Sequence, residues 1–200
     1  MMVKICGITR IEDARVAVAA GADWIGVNLW PRSRRYVPLE RAREIAAAAA
    51  GVVRVAVFVN APRADIEAAL AFVDLVQLHG DETPADCAPF AGRLVRALRA
   101  PDAAAMDAFP TDLILLDTPS PGYGGSGRTF DWSLAAAAVA RGKRVILAGG
   151  LDPDNVAAAV RAVRPFGVDV ASGVEAAPGI KDADKVRRFV AAAKAAKETA

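Results

Sequence analysis

Val3-Lys4-Ile5-Cys6-Gly7-Ile8-Thr9 places a cysteine at the end of a short apolar run, and a helical pattern follows at once, at about residues 11–20. A strand that ends in a reactive side chain and continues into a helix is the unit from which α/β barrels build their active sites. Because this run comes so early, Cys6 would lie at the mouth of the first barrel strand. The ends of the later strands are therefore the places to search for function.

The same order of elements repeats along the whole chain. Apolar, β-branched runs predict strands at about residues 3–8, 24–30, 52–60, 75–79, 94–98, 112–117, 144–148 and 167–172. Alanine-rich helical patterns follow them at about residues 11–20, 39–50, 62–73, 84–91, 102–109, 130–141, 153–164 and 182–197. Eight β-then-α units imply parallel strands joined by right-handed crossovers.

Eight is also the number of units that closes a (β/α)8 barrel, and 200 residues is near the lower size limit of that fold. The main alternative is an open, doubly wound sheet, which often carries a glycine-rich dinucleotide loop after its first strand. The first turn here lacks the G-x-G-x-x-G pattern. We therefore predict an α/β fold, a TIM barrel that forms a single catalytic domain over residues 1–200. Asp152 and Pro153 are predicted to start the seventh helix.

Composition limits the functions to consider. Lys and Arg total 25 against 23 Asp and Glu, and the basic residues are scattered, so we expect no nucleic-acid partner. No apolar stretch is long enough for a membrane span, and we see no secretion signal. The 2 cysteines cannot form a disulfide framework, and no Cys/His spacing suits zinc. These features lead us to expect a cytoplasmic protein.

The loops after the strands form the active site of a barrel, so the polar and glycine residues at the strand ends are candidates. They are Cys6, Asn28, Asn60, His79, Arg96, Asp117, Gly149 with Gly150, and Ser172 with Gly173. The last two pairs lie in glycine-rich turns after the seventh and eighth strands, where barrels often bind phosphate. Either turn could be only a tight turn, but the pair together favours a phosphorylated ligand.

Cys6 and Asp117 are the candidates for chemistry. A free cysteine is most often a small buried hydrophobe, but a strand-end position before glycine favours a functional thiol. As a base or nucleophile, Cys6 would need thiolate character. Asp117 ends an apolar strand, where partial desolvation would suit its carboxyl to general-acid work; a cap or salt bridge is the alternative. His79, the single histidine, ranks second, because a lone histidine is more often a structural residue than a catalyst; we include it as a substrate-binding candidate. Cys87 is interpreted as packing.

Lys4 lies two residues before Cys6 and should point to the same side of the first strand. Asp169 stands at a similar depth in the eighth strand, which neighbours the first once the barrel closes. We therefore expect a lysine–aspartate pair inside the barrel, below the site.

Two loops add further candidates. Residues 30–36, after the second strand, hold three arginines that form either a solvated basic loop or a clamp for a carboxylate. They are Arg32, Arg34 and Arg35. The glycine-rich stretch at residues 118–129 follows Asp117, and its length favours a functional loop, with residues 119–128 as a candidate lid.

Together these stretches resemble the phosphoribosylanthranilate isomerase family of tryptophan biosynthesis, in order and over nearly the whole chain. The first matches are Val3-Lys-Ile-Cys-Gly-Ile-Thr9, Pro31-Arg-Ser-Arg-Arg-Tyr36, Val57-Phe-Val-Asn60, Val76-Gln-Leu-His-Gly80 and Leu115-Leu-Asp-Thr118. The later ones are Gly124-Gly-Ser-Gly-Arg-Thr-Phe-Asp-Trp132, Ala148-Gly-Gly-Leu151, Asp169-Val-Ala-Ser-Gly-Val-Glu175 and Pro178-Gly-Ile-Lys-Asp182. Arg96 stands where lysine is more often found in such sequences, which leaves its role open.

The family's reaction is an Amadori rearrangement of N-(5-phosphoribosyl)anthranilate to 1-(2-carboxyphenylamino)-1-deoxyribulose 5-phosphate. The resemblance implies that Asp117 is the general acid that opens the ribose ring and that Cys6 is the general base that removes the C2 proton. It also implies that Arg35 holds the anthranilate carboxylate. Phosphate would bind the backbones of Gly149, Gly150, Ser172 and Gly173. No metal or organic cofactor is implied, and both monomers and homodimers occur in the family.

Other phosphosugar barrels are the nearest alternatives. A histidine-pathway isomerase would place aspartates at both catalytic strand ends, and a ribulose-phosphate epimerase would need metal-binding histidines. A catalytically inactive barrel that binds phosphate as a regulatory subunit is an alternative of a different class. The combination of Cys6 with Asp117 in a chain with 1 histidine disfavours all three.

Overall fold

The side chains of the first strand alternate between the inside of the sheet and the helices outside it. The computed structural model describes residues 1–99, 103–117 and 132–198, and its first strand is β1 (Met2–Ile5). Val3 and Ile5 pack in the large apolar cluster between strands and helices, whereas Met2 belongs to a smaller cluster. Because successive side chains point to opposite faces, Met2 and Lys4 face the inside of the sheet.

The strands after β1 pair in chain order and close a parallel barrel, in which β8 returns to pair with β1. They are β2 (Trp24–Asn28), β3 (Val53–Phe58), β4 (Leu75–Leu78), β5 (Leu94–Arg99), β6 (Leu113–Asp117), β7 (Arg144–Leu147) and β8 (Gly167–Val170). The predicted TIM barrel is thereby confirmed, and the open doubly wound sheet is excluded.

In the described part of the chain, eight α-helices follow the strands and pack around the barrel. They are α1 (Ile11–Ala19), α2 (Leu39–Ala48), α3 (Arg63–Ala69), α4 (Pro84–Cys87), α5 (Ala103–Asp107), α6 (Trp132–Ala140), α7 (Val156–Val163) and α8 (Ala183–Glu198). Among the described residues, no helix is both long and apolar enough to cross a membrane. Cys87 is fully buried in the apolar cluster beneath the helices, which confirms its interpretation as packing.

The structure corrects several boundaries. Most strands end earlier than predicted, so that Cys6, His79 and Ser172 lie just beyond β1, β4 and β8 rather than within them. The fourth helix turns into a 3-10 helix at Ala88–Arg93, because Pro89 has no N–H to continue the α-helical ladder.

The predicted start of the seventh helix at Asp152 and Pro153 is wrong. The N-cap of α7 is Asn155. Asp152 Oδ1 instead accepts the amides of Asp154 at 2.8 Å and Asn155 at 2.9 Å, so its side chain closes the turn before the helix.

A short antiparallel hairpin, which the sequence pattern did not indicate, follows β8. It consists of β9 (Glu175–Ala177) and β10 (Ile180–Lys181). The hairpin lies between β8 and α8 and brings charged side chains back toward the mouth of the barrel. It is part of the site described below.

A charged pair lies inside the barrel, as predicted. Lys4 and Asp169 are register partners on β1 and β8, and Lys4 Nζ lies 2.9 Å from Asp169 Oδ1. The ammonium also donates to Gln77 Oε1 at 2.9 Å, and Lys4 is fully buried. Burial by itself lowers the pKa of Lys4, but Asp169 and Cys6 together outweigh burial and raise it above its ordinary value.

Lys4→Met tests the importance of this pair. The substitution leaves the carboxylate of Asp169 buried without its cation, so we expect the free energy of unfolding to fall by about 3–5 kcal/mol. Lys4→Met combined with Asp169→Asn should be less destabilised than the sum of the single variants, by at least about 1 kcal/mol. Denaturant unfolding of the four proteins measures this coupling.

The matched control is the exposed pair of Arg41 and Glu44 on α2, whose ions lie 2.7 Å apart. The same cycle on this pair should give a coupling of about 0.5 kcal/mol or less, because solvent screens exposed charges. Additive effects at Lys4 and Asp169 would contradict the stabilising role of the interior pair.

Candidate active site

A cavity of about 750 Å³ opens at the carboxyl ends of the barrel strands. Of the residues predicted to form the site, those that line this cavity are Cys6, Asn28, Arg32, Arg34, Arg35, His79, Asp117, Gly149, Gly150 and Ser172. Gly173 does not line it, but lies in the same turn as Ser172. The structure therefore brings together side chains from loops that are far apart in the sequence.

Cys6 continues the ladder beyond β1, since its amide donates to the carbonyl of Val170 at 2.8 Å. Its thiol lies among charged side chains. Burial raises the pKa of Cys6 above its ordinary value, although the ammonium groups of Lys4 and Lys181 oppose that shift. Without a ligand, burial thus favours the neutral thiol. The two lysines supply positive potential beside the thiol.

Asp117 ends β6 and lies beside His79 at the cavity. The two side chains are 9% and 12% exposed, and His79 Nε2 lies 3.4 Å from Asp117 Oδ2. That distance is too long for an ordinary hydrogen bond, and Nε2 is buried without such a bond among the described residues. On its other side, His79 Nδ1 lies 3.0 Å from Gln77 Nε2.

Arg35 reaches the cavity from the loop after β2 and is held by Glu175 of the hairpin. Its Nε and Nη2 donate to the two carboxylate oxygens of Glu175, each at 2.7 Å. Such a fork is the strong, directional form of an arginine–carboxylate pair. It uses two of the five N–H donors of the guanidinium and fixes the group at the cavity wall.

Glu175 also joins the hairpin to the rest of the mouth. Its Oε1 accepts from Lys181 Nζ at 2.9 Å and from the Gly179 amide at 3.2 Å. Burial alone would raise the pKa of Glu175, but the hydrogen bonds from Arg35 and the charge of Lys181 outweigh burial and lower it. Glu175 is therefore a structural anion between two cations.

The two glycine-rich turns lie side by side. Gly149 and Gly150 have φ angles of +85° and +66°, so this turn requires glycine on conformational grounds alone. Asn155 fixes the turn from below by donating its Nδ2 to the Gly150 carbonyl at 2.8 Å. Gly173 packs so closely on the carbonyl oxygen of Leu151 that a Cβ atom would clash with it.

Two strand-end candidates do not reach the cavity. The amide of Asn60 donates to Glu82 Oε1 at 2.8 Å, and Arg96 Nη1 donates to Glu82 Oε2 at 2.6 Å and to the Leu78 carbonyl at 2.8 Å. Through Glu82, these residues hold the loops after β3 and β4 together. Arg96, whose role the sequence left open, is thus a structural residue.

The sequence pattern gave no role to three residues of the mouth, namely Gln77, Glu175 and Lys181. Gln77 could have been found from its spacing, because it lies two residues before His79 and shares its side of the strand. Glu175 and Lys181 carried no comparable signal.

The glycine-rich stretch at residues 118–129 lies outside the described residues. Within the described ranges, no group of three or more His, Cys, Asp or Glu side chains could hold a metal ion.

Gly173→Ala tests the contact between the two turns. The added methyl group meets the Leu151 carbonyl, so we expect the free energy of unfolding to fall by about 1–3 kcal/mol. Denaturant unfolding measures the loss. Gly92→Ala is the matched control, because nothing lies within 4 Å of the added carbon there. Equal stabilities of the two variants would show that the turns do not depend on this close approach.

Glu175→Gln tests the ion cluster through its pH dependence. The depressed pKa of Glu175 means that its stabilisation is complete above the ordinary glutamate pKa of 4.5. This stabilisation is lost as the pH falls through the depressed folded-state value. We expect Glu175→Gln to be less stable than the parent at neutral pH and to lose less stability on acidification. Urea unfolding at neutral and acidic pH measures both effects.

Glu67→Gln is the control for that experiment, since Glu67 pairs with Arg63 on an exposed face of α3. This variant should follow the parent at both pH values, because an exposed pair contributes little. An acid sensitivity of Glu175→Gln equal to that of the parent would contradict the role assigned to the cluster.

Comparison with known proteins identifies the family. The model of the N-(5'-phosphoribosyl)anthranilate isomerase family matches residues 3–192. The N-(5'-phosphoribosyl)anthranilate isomerase of Geobacter metallireducens is 51% identical over 200 residues, which cover 96% of this chain and 98% of that protein.

Solved structures agree with the sequence comparison. The crystal structure of phosphoribosyl anthranilate isomerase from Thermotoga maritima has a TM-score of 0.88 and 44% identity over 98% of this chain and 99% of that one. A crystal structure of such an isomerase in complex with reduced 1-(o-carboxyphenylamino)-1-deoxyribulose 5-phosphate has a TM-score of 0.84 and 40% identity, covering 98% of this chain and 99% of that one. The chain belongs to the N-(5'-phosphoribosyl)anthranilate isomerase family.

Proposed function

We propose that Cys6 and Asp117 are the base and the acid with which this chain isomerises N-(5'-phosphoribosyl)anthranilate. The isomerase activity, a step of tryptophan biosynthesis, follows from family membership. The observation that supports the two roles is the single cavity into which both strand ends open, between the arginine loop and the paired glycine turns. The strands β1 and β6 lie three positions apart around the barrel, so the two groups approach a ligand from different sides.

The ends of the substrate fit the ends of this cavity. Gly149, Gly150 and Ser172 line one side, and we assign the phosphate to their backbone amides together with that of Gly173. Arg35 lies at the cavity wall with donors beyond the two that Glu175 takes, and we assign the anthranilate carboxylate to it. A relative binds a reduced product that carries both groups, which supports this arrangement.

Anchoring both ends fixes the ribose between the acid and the base, which removes much of the entropic cost of the reaction. In the first step, the carboxyl of Asp117 gives its proton to the ribose ring oxygen, and the C1–O bond breaks as the nitrogen lone pair forms a Schiff base. In the second step, the Cys6 thiolate takes the proton from C2, and the C–H electron pair forms the enolamine. Tautomerisation of the enolamine gives the ketone product.

The surroundings of Cys6 explain how a thiol can serve as this base. Burial raises the pKa of Cys6, so the thiolate is disfavoured in the empty site. The ammonium groups of Lys4 and Lys181 stabilise the thiolate once it forms. The activity should therefore rise with pH as Cys6 ionises.

His79 is assigned to substrate binding, because it lines the cavity beside Asp117. No metal or organic cofactor takes part in the proposed steps. We further propose that residues 1–200 form one catalytic domain that works in the cytoplasm as a monomer or homodimer, without a nucleic-acid partner. The near balance of 25 basic and 23 acidic residues supports the last point.

Steady-state turnover of N-(5'-phosphoribosyl)anthranilate tests these roles. Loss of a general acid or base typically lowers the rate by about 100- to 10,000-fold, so we expect kcat to fall that far in Cys6→Ser and in Asp117→Asn. The KM of both variants should change much less, because neither residue anchors an end of the substrate. In the parent enzyme, the rise of kcat/KM with pH should disappear in Cys6→Ser.

Cys87→Ser is the matched control, since burial also raises the pKa of Cys87, to about 11, but this thiol lies outside the cavity. It should retain the parent kcat. Full activity of Cys6→Ser or Asp117→Asn would overturn the role of that residue. An inactive parent enzyme that still binds phosphate would instead favour a regulatory phosphate-binding barrel.

A further inference from the structure

Lys4, Gln77 and His79 form a chain of hydrogen bonds that starts inside the barrel and ends at the cavity. Lys4 Nζ donates to Gln77 Oε1 at 2.9 Å, and Gln77 Nε2 lies 3.0 Å from His79 Nδ1. Asp169 holds the far side of the ammonium at 2.9 Å. Lys4 and Gln77 are 0% and 2% exposed, so water does not compete for the contacts of the ammonium.

The ammonium of Lys4 fixes the orientation of the Gln77 amide. A lysine ammonium has three donors and no acceptor, so only the amide oxygen can face it favourably. An amide turned the other way would place its NH₂ group against the ammonium and lose the hydrogen bond in a buried, low-dielectric site. The NH₂ group of Gln77 must therefore point toward His79.

The orientation of Gln77 in turn fixes the tautomer of His79. The NH₂ group of an amide can only donate, so His79 Nδ1 must accept and carries no proton. In the neutral imidazole the proton then sits on Nε2. This N–H is buried, lacks a hydrogen-bond acceptor at ordinary distance among the described residues, and lies 3.4 Å from Asp117 Oδ2.

We propose that Lys4 and Gln77 are positioning residues that hold His79 as an Nε2–H donor beside the carboxyl of Asp117. This inference rests on the proposed role of Asp117 as the acid. When Asp117 gives its proton to the ribose ring oxygen, it becomes a carboxylate, and the Nε2–H donates to that new charge while keeping its own proton. In the opposite tautomer, a bare Nε2 would accept the hydrogen bond of the acid and hold the proton away from the substrate.

The chain contains 1 histidine, so its ring nitrogens can be observed by NMR without assignment ambiguity. In ¹⁵N-labelled protein in mildly alkaline buffer, we expect Nδ1 of His79 to show the shift of an unprotonated nitrogen and Nε2 that of a protonated one. A coupling across the hydrogen bond should link His79 Nδ1 to the side-chain nitrogen of Gln77. These measurements on the parent protein need no variant.

Gln77→Glu reverses the constraint on His79. The new carboxylate still accepts a hydrogen bond from Lys4, but it has no N–H to donate to His79. His79 Nδ1 should therefore become the protonated nitrogen, and its ¹⁵N shift should move to that of a protonated nitrogen. We expect kcat to fall by about 10- to 100-fold, less than on removal of the acid, with KM changed by less than about twofold. Gln77→Met, which removes both hydrogen bonds, should abolish the coupling to Nδ1.

Leu75→Met is the matched control, since Leu75 lies two residues before Gln77 on the same face of β4 and packs in the interior apolar cluster. It should keep the parent NMR spectrum and kcat. A protonated Nδ1 in the parent protein, or an unchanged Nδ1 signal in Gln77→Glu, would overturn the inference. The two proposals can fail separately. If the parent protein shows the expected spectra but Asp117→Asn keeps full activity, the role of Asp117 is refuted and the fixed tautomer of His79 still holds.

Discussion

The ammonium of Lys4 is the constraint on which the rest of the barrel mouth depends. A fully buried cation is costly unless every donor finds a partner, and Asp169 and Gln77 each provide one at 2.9 Å. Asp169 comes from β8, which pairs with β1, whereas Gln77 comes from β4, three positions away from β1 around the barrel. Lys4 therefore ties β4 to two strands with which it does not pair. Cys6 lies two residues after Lys4, and His79 two after Gln77. The buried layer therefore sets the positions of the cavity residues above it.

A second layer of charge lies at the rim and has a different purpose. Arg35, Glu175 and Lys181 join the loop after β2 to the hairpin after β8, and Glu175 satisfies both cations. Within this cluster, the ammonium of Lys181 opposes the rise that burial causes in the pKa of Cys6. The same side chains thus shape the wall of the cavity and bias the ionisation of the thiol. A substitution in this cluster would therefore change both the shape of the cavity wall and the ionisation of Cys6.

The sequence predicted the eight-stranded barrel because each β-then-α unit carries its own local pattern. The strand ends were predicted too long, since apolar residues such as Ile8 and Val59 remain buried in the loops beyond the strands. Cys6 and Asp117 could be found because a polar residue after an apolar run is itself a local signal. The spacing of Gln77 from His79 could have placed it on the same face of its strand, but its bond to Lys4, 73 residues away, could not be predicted. Glu175 could not be found, because its partner Arg35 lies 140 residues away in the chain. Such contacts depend on the register of the closed barrel.

The bond between Arg35 and Glu175 also bears on how this fold can be altered. The loops of a barrel are commonly regarded as separate modules that can be lengthened or exchanged one at a time without disturbing the scaffold. Here the loop after β2 and the hairpin after β8 share one bidentate contact, and β1 lies between their strands. Replacing the loop after β2 alone would leave Glu175 with Lys181 as its cationic partner, and replacing the hairpin alone would leave Arg35 without Glu175. The two loops, with the β1 turn between them, therefore constitute one unit for grafting or recombination.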